Sequence, residues 1–144
     1  AAQMKIVDAN VLIYAVNRGA PDHSTAAAWL ETALNGSETI AFGWIALLAF
    51  VRIVTRPGLF ARPLTVREAF DTVDGWLASP NVVVAHPGDT HAAKLRELLS
   101  ATGTAGNLTS DAHLAALAIE LDAEMISFDG DFARFPGLRY SKPR

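Results

Sequence analysis

No cysteine occurs among the 144 residues of this sequence, which excludes a disulfide framework and any thiolate chemistry. That composition fits a reducing compartment, and a cytoplasmic location is expected. No apolar run approaches the roughly 18 uncharged residues that mark a membrane span. The longest, Ile40 to Val51, is too short and abuts Arg52. No secretory leader is visible; Met4 reads as the natural start, with Ala1, Ala2 and Gln3 as a remnant ahead of the domain. Charge of one sign is also scarce. The formal net charge of −3 argues against a protein that coats nucleic acid by bulk charge, while leaving room for a local basic patch. Repeats, low-complexity tracts and linkers are lacking too, so a single domain over residues 4–144 is expected. What is present is apolar: half the residues are hydrophobic, enough to bury a core and to exclude disorder.

The pattern along the chain alternates short β-branched runs with helical stretches. Lys5 to Asp8, Thr39 to Phe42, Val82 to Ala85 and Met125 to Phe128 read as strands, and Leu138 to Tyr140 as a short final one. Between them lie helices: one starting at Asn10, one capped by Asp22, and one from Trp44 to about Thr55. Thr65-x-x-Glu68 is a capping-box pattern that opens a helix through Phe70, Val73, Trp76 and Leu77. Further helices run from Thr90 to about Ala101 and, with Ser110 as cap, to about Leu121; Gly103 to Asn107 reads as a flexible loop. Strands apolar on both faces, alternating with helices, predict an α/β domain with a mostly parallel sheet covered on both sides. In such sheets ligands bind beyond the carboxyl ends of the strands, near the switch in strand order.

Three carboxylates fall at that edge. Asp8 ends the first strand and Asp129 the strand from Met125. Asp111 lies one turn before Leu114 on the buried stripe of Leu114, Ala118 and Leu121, so it is expected to face inward. Each has an ordinary reading by itself: Asp8 as a helix cap, Asp111 as a charge favoured by the helix dipole, Asp129 as a turn residue before Gly130. Together they need a cation or raised pKa values, because carboxylates about 5 Å apart repel by roughly 1 to 3 kcal/mol. Oxygen ligands without cysteine or clustered histidine select a hard ion, Mg²⁺ or Mn²⁺.

Asp8-Ala-Asn10-Val-Leu-Ile, Asn107-Leu-Thr-Ser-Asp111-Ala-x-Leu-Ala-Ala-Leu-Ala and Ile126-Ser-Phe-Asp129-Gly-Asp131-Phe occur in that order. The set resembles the motifs of PIN-domain ribonucleases and, within them, the VapC toxins of bacterial toxin–antitoxin pairs, from Met4 to Leu138. The resemblance implies a PIN-like three-layer α/β/α fold with about five strands, and Mg²⁺- or Mn²⁺-dependent cleavage of RNA. It also implies a cognate antitoxin that blocks the toxin, and commonly a toxin homodimer. Asp8, Asp111 and Asp129 match the first, third and fourth acidic positions, and Asp131 a further one just beyond. Asn10 matches a polar position that orients the first carboxylate or helps bind substrate, and Ser127 a small hydroxyl position two before the fourth, both in supporting roles. The sequence departs at the second acidic position, where the family usually has a glutamate three residues before an arginine. Aligned on Arg52, Ala49 stands there, or Phe50 with the register shifted by one, and no acidic residue occurs from Thr39 through Val66, so the gap does not depend on the register. That motivates an alternative, a catalytically weakened PIN-like module that binds RNA or protein. A phosphatase of the haloacid-dehalogenase type is disfavoured, since its motif requires aspartate where Asn10 stands.

Arg52, Arg56 and Arg62 lie on or after the apolar helix with no acidic neighbour in sequence. They suit RNA phosphates, and equally a solvated face or an ion pair. His113 is expected to point about 200° away from Asp111, and His23, His86 and His91 read as surface or capping residues. Trp29, Trp44, Phe50 and Trp76 are expected in the core, with part of the apolar helix covered by a second subunit or the antitoxin.

Overall fold

The computed structural model describes residues 3–58, 60–103 and 106–144. Ala1 and Ala2 of the expected remnant, and Thr104 and Ala105 of the expected loop, lie outside the described residues. Five strands form one sheet: β1 (Met4–Val7), β2 (Thr39–Gly43), β3 (Val82–Ala85), β4 (Glu124–Ile126) and β5 (Tyr140–Ser141). Their order is β3-β2-β1-β4-β5 and every pairing is parallel. The chain therefore builds outward from β1 to β3, then crosses back to place β4 on the other side of β1. The switch in strand order lies between β1 and β4, and that fixes where a ligand crevice forms.

The period-two alternation of each strand divides the core into two layers. Ile6, Ala41 and Met125 face one hydrophobic cluster, while Val7, Ile40, Phe42 and Ile126 face the other. Helix α1 (Ala9–Val16), α2 (His23–Leu34), α4 (Val66–Leu77) and most of α3 (Trp44–Val54) cover the second face. Helices α5 (His91–Thr102) and α6 (Thr109–Glu120) cover the first. Ala112, Ala115, Ala116 and Ala118 are fully buried, and these small side chains let α6 lie close to the sheet. At the β2–α3 junction a Cβ on Gly43 would come within 3.2 Å of Leu117 Cδ1, so only glycine fits comfortably between that junction and α6.

Local signals behave unevenly. The capping box forms as expected, with Thr65 and Glu68 each accepting from the other's backbone N–H at 3.0 Å. Asp22 occupies the N-cap position of α2, but its side chain makes no capping bond. Ser110 lies inside α6 rather than capping it, and Leu108, the last residue of a short 3-10 turn over Gly106–Leu108, takes the cap position. Asp8 and Asp129 both stand past the strands they were expected to end: β1 stops at Val7 and β4 at Ile126. Trp44 is 41% exposed and Leu48 55%, so α3 is not wrapped by this chain alone; Phe50 and Trp76 are buried as expected and Trp29 only partly. No described helix is long and apolar enough to cross a membrane.

Candidate active site

Beyond the carboxyl ends of β1 and β4 the chain makes two tight junctions. After Val7 the backbone leaves the strand at Asp8, whose N–H still bonds Ile126 O across the sheet at 2.9 Å. The Asp8 side chain then caps α1, with Oδ1 accepting from Ala9 N–H at 2.7 Å. Its other oxygen, Oδ2, accepts from the Ser127 hydroxyl at 2.7 Å. Ser127 is fully buried and serves as the hub: its Oγ also accepts from Asn10 Nδ2 at 3.1 Å and from Asp129 N–H at 2.9 Å. Asn10 closes the loop, its Oδ1 accepting from Phe128 N–H at 3.1 Å. Every buried side-chain polar atom among the described residues is satisfied. The capping and ligand readings of Asp8 thus do not compete, because a cap occupies one direction of one oxygen and leaves further lone pairs free.

Asp129 caps a 3-10 turn over Gly130–Arg134 by accepting from Asp131 N–H at 2.9 Å, and Asp131 pairs with Arg134 at 3.2 Å. Asp111 enters from α6. Its carboxylate makes no hydrogen bond to any other described residue, and its pKa is pushed up to about 6. Burial is the largest cause, followed by the charges of Asp8, Asp129 and Asp131, with Arg134 opposing. Burial likewise raises Asp8, offset by its bonds to Ser127 and Ala9 and reinforced by Asp129. Tyr140 donates to Ser127 O at 3.1 Å, and its phenol is raised by burial and by Asp129 and Asp8.

Four aspartates therefore share one field. Among the described residues, however, no three acidic or histidine side chains are already set at ligand spacing around one point. The reason is visible in the bonding: Asp8 and Asp129 are turned onto neighbouring N–H and O–H donors, and like charges hold the group apart. The donor set still fits a hard divalent cation. It is all oxygen, partly buried, and costly to ionise without a positive charge, as Asp111 records.

A family model described as PIN domain matches residues 5–138. The chain belongs to the PIN-domain family. Ribonuclease VapC37 of Mycobacterium tuberculosis is 49% identical, covering 97% of each chain. Ribonuclease VapC33 of the same species is 43% identical over 97% of this chain and 98% of that one. Among solved structures, VapBC2 of Rickettsia felis, bound to a DNA fragment from its promoter, superposes with a TM-score of 0.69 at 20% identity. It covers 97% of this chain and 98% of that one. The M. tuberculosis sarcin-ricin loop cleaving toxin VapC20 gives the same score at 20% identity, over 95% and 99% of the two chains. At those identities the structural likeness speaks to the fold, a PIN-like three-layer α/β/α arrangement.

In this PIN domain the aspartates, Asn10 and Ser127 gather at the switch point, whereas the arginines do not. Arg62 pairs with Glu68 at 3.5 Å, a partner six residues on, and lines a cleft with Val16, Asn17 and Arg18 at the far end of α1 from Asp8. Arg52 and Arg56 are exposed and form no ion pair among the described residues. Ala49 is half-buried, one turn beyond Ile45, which packs against the α6 side of the core. Sequence reasoning missed Arg134 and Tyr140. Arg134 had a local signal, its i,i+3 spacing from Asp131; Tyr140 had none, since β5 brings it to Ser127 only through the sheet. Of the histidines, His86 is exposed and His23 starts α2 as expected, and His113 stands away from Asp111, but His91 is not a surface residue. His91 contacts both Glu120 and His113, and His113 is held below its ordinary pKa by burial first and then by His91, with Glu120 opposing.

Proposed function

We propose that this chain is a metal-dependent endoribonuclease, the toxin of a toxin–antitoxin pair, with Asp8, Asp111 and Asp129 as its catalytic carboxylates. One observation carries the assignment of the site: Asp111, raised to about 6 among Asp8, Asp129 and Asp131 at the switch point. Membership of the PIN family and close relatives named as ribonucleases support the activity. Asp8 and Asp111 would hold the ion, directly or through water, with Asp129 and Asp131 as further oxygen donors. When bound there, Mg²⁺ or Mn²⁺ would supply Lewis-acid chemistry for water and phosphate. Ser127 and Asn10 fix the rotamer of Asp8, as partners behind a metal ligand do. Tyr140 in turn anchors the Ser127 carbonyl. Arg134 at the rim supplies positive charge toward an incoming phosphate, and Arg52, Arg56 and Arg62 bind RNA farther from the cut. The fold acts as one domain over residues 4–144. The exposed apolar stripes of Trp44 and Leu48 on α3, and Val66 and Phe70 on α4, suit a second copy of the chain or the antitoxin.

The deciding experiment incubates purified protein with total RNA in Mg²⁺, Mn²⁺ or EDTA and maps the ends formed. Discrete cuts that need a divalent ion and vanish with Asp8→Asn are expected. The stretch from Thr39 through Val66, empty of acidic residues with Ala49 at the usual glutamate position, favours a second reading, a weakened RNA- or protein-binding module. RNA retention without cleavage in any divalent metal would establish that module and remove the nuclease.

A further inference from the structure

A second cluster of ionisable side chains lies round α6 from Asp111. His91, the first residue of α5, reaches across to α6 with both ring nitrogens: Nδ1 lies 2.7 Å from Glu120 Oε2, and Nε2 lies 2.9 Å from His113 Nδ1. His113 and Glu120 are seven residues apart, so they share one face of α6 about two turns from each other. His91 spans that distance. Glu120 is held from its other side as well, with Oε1 accepting from Thr90 Oγ1 at 3.4 Å. The side chains of His91 and Glu120 are 12% and 13% exposed, so the carboxylate is fixed yet the cluster remains within reach of solvent.

The proton inventory is restrictive. The Glu120 carboxylate only accepts, so His91 Nδ1 carries a hydrogen and donates it. In the neutral ring this leaves the Nε2 lone pair aimed at His113 Nδ1, and the facing nitrogens share one proton. A separation of 2.9 Å is also that of two adjacent ligands on one ion: bonds of ~2.05 Å at a right angle place nitrogens ~2.9 Å apart, and a tetrahedral angle needs ~0.4 Å more. The rings meet edge to face at 77°, which keeps their remaining atoms clear of each other. A carboxylate bonded to the far nitrogen of a metal-binding histidine is the usual way such a ring is oriented.

We propose that His91 Nε2 and His113 Nδ1 form a two-nitrogen site for a borderline divalent ion of the Zn²⁺, Ni²⁺ or Cu²⁺ class, oriented by Glu120. The ion takes the place of the shared proton, each nitrogen turning from its neighbour toward the ion. His113 gives up its Nδ1 hydrogen and takes one at Nε2 from solvent, so both rings bind as neutral imidazoles with no net proton released, and water completes the coordination. Among the described residues no third histidine or carboxylate joins as a ligand, so the site is open rather than closed and structural. Its nitrogen donors separate it from the aspartates, whose oxygens favour Mg²⁺ or Mn²⁺. The two faces of α6 are thus matched to two classes of cation.

The test adds one equivalent of Cu²⁺ to the full chain in excess Mg²⁺ and records the electron paramagnetic resonance spectrum. Hyperfine coupling to two imidazole nitrogens is expected, kept in Asp111→Asn and lost in both His91→Gln and His113→Gln. Glu120→Gln is expected to retain the two-nitrogen signal with several-fold weaker affinity. Absence of two-nitrogen coupling in the unmodified protein overturns the proposal whatever the variants do. So does a signal that survives both histidine substitutions, which would place copper at His23, His86 or the chain terminus, or one that disappears with Asp111→Asn. Titration with Zn²⁺ in excess Mg²⁺ supplies an independent arm: binding of one ion is expected in the unmodified protein and in Asp111→Asn and is expected to be lost in His91→Gln and His113→Gln, while zinc binding that ignores both histidine substitutions overturns the proposal.

Discussion

The two sides of the acidic site are built on opposite principles. On the β1 and β4 side, Asp8 has both oxygens bonded, its neighbour Ser127 is fully buried, and Asn10 ties the two strand ends together. On the α6 side, Asp111 follows a helix start with no side-chain cap, and its carboxylate receives no hydrogen bond from another described residue. Both acids are raised by burial, but only Asp8 has donors that pull its pKa back. The sheet side is therefore preorganised without an ion, while the helix side holds a carboxylate with no hydrogen-bond donor among the described residues and only the charge of Arg134 to offset it. A cation relieves the second far more than the first.

The largest test of that contrast is catalytic. Asp8→Asn and Asp111→Asn should each lower cleavage by about 10³-fold or more, since each removes part of an interaction worth several kcal/mol in the transition state. Initial rates on a defined RNA check this, and an active variant at either position removes that aspartate from the machinery.

Stability should separate the same two variants by sign. In Asp8→Asn an amide N–H₂ faces Ser127 Oγ or Ala9 N–H, both already donors there, at a cost of about 1 to 3 kcal/mol. Asp111→Asn removes a charge that burial and three like charges disfavour and should stabilise the metal-free protein by about 1 to 2 kcal/mol after allowance for solvent screening. Melting in EDTA should show shifts of a few degrees in opposite directions; shifts of the same sign would erase the comparison.

Ser127→Ala tests the hub, with a 10- to 100-fold loss of metal affinity expected by titration, as for other partners behind metal ligands. The pH dependence is gentler. Asp111 is raised to about 6, so the native state binds its proton more tightly than the unfolded chain, whose value is near 3.8. Its contribution is fully present below about pH 4 and is lost as pH rises through about 6, so metal-free stability should fall across that window. Saturating Mg²⁺ should flatten the dependence, and Asp111→Asn should largely remove it, as urea midpoints at pH 5 and 7 will report. The smallest effect is reserved for Ala49→Glu, which adds a carboxylate at the family's second acidic position and should tighten divalent-ion binding by only several-fold.

Much of the fold was legible because it rests on local rules. Period-two strands, helical stripes and the Thr65 and Glu68 capping box specify parallel strands between helices, and the ordered motifs around Asp8, Asp111 and Asp129 point to their common edge. Cap placement was less legible, as Asp22 and Ser110 show: a side chain able to cap does so only where the backbone enters the helix in an extended conformation, and Asp22 does not. Trp44 escaped too, because apolar character says that a residue gains from burial without saying which surface buries it.

By itself the sequence determined the layering, the family and the identity of the clustered aspartates, since alternation and motif order are properties of neighbours along the chain. Tertiary structure alone decided that Ser127 joins Asp8 to Asn10, that Tyr140 and Arg134 stand beside them, and that His91 bridges His113 and Glu120. Those contacts cross between elements far apart in sequence, and a hydrogen bond depends on tenths of an ångström that no residue pattern encodes.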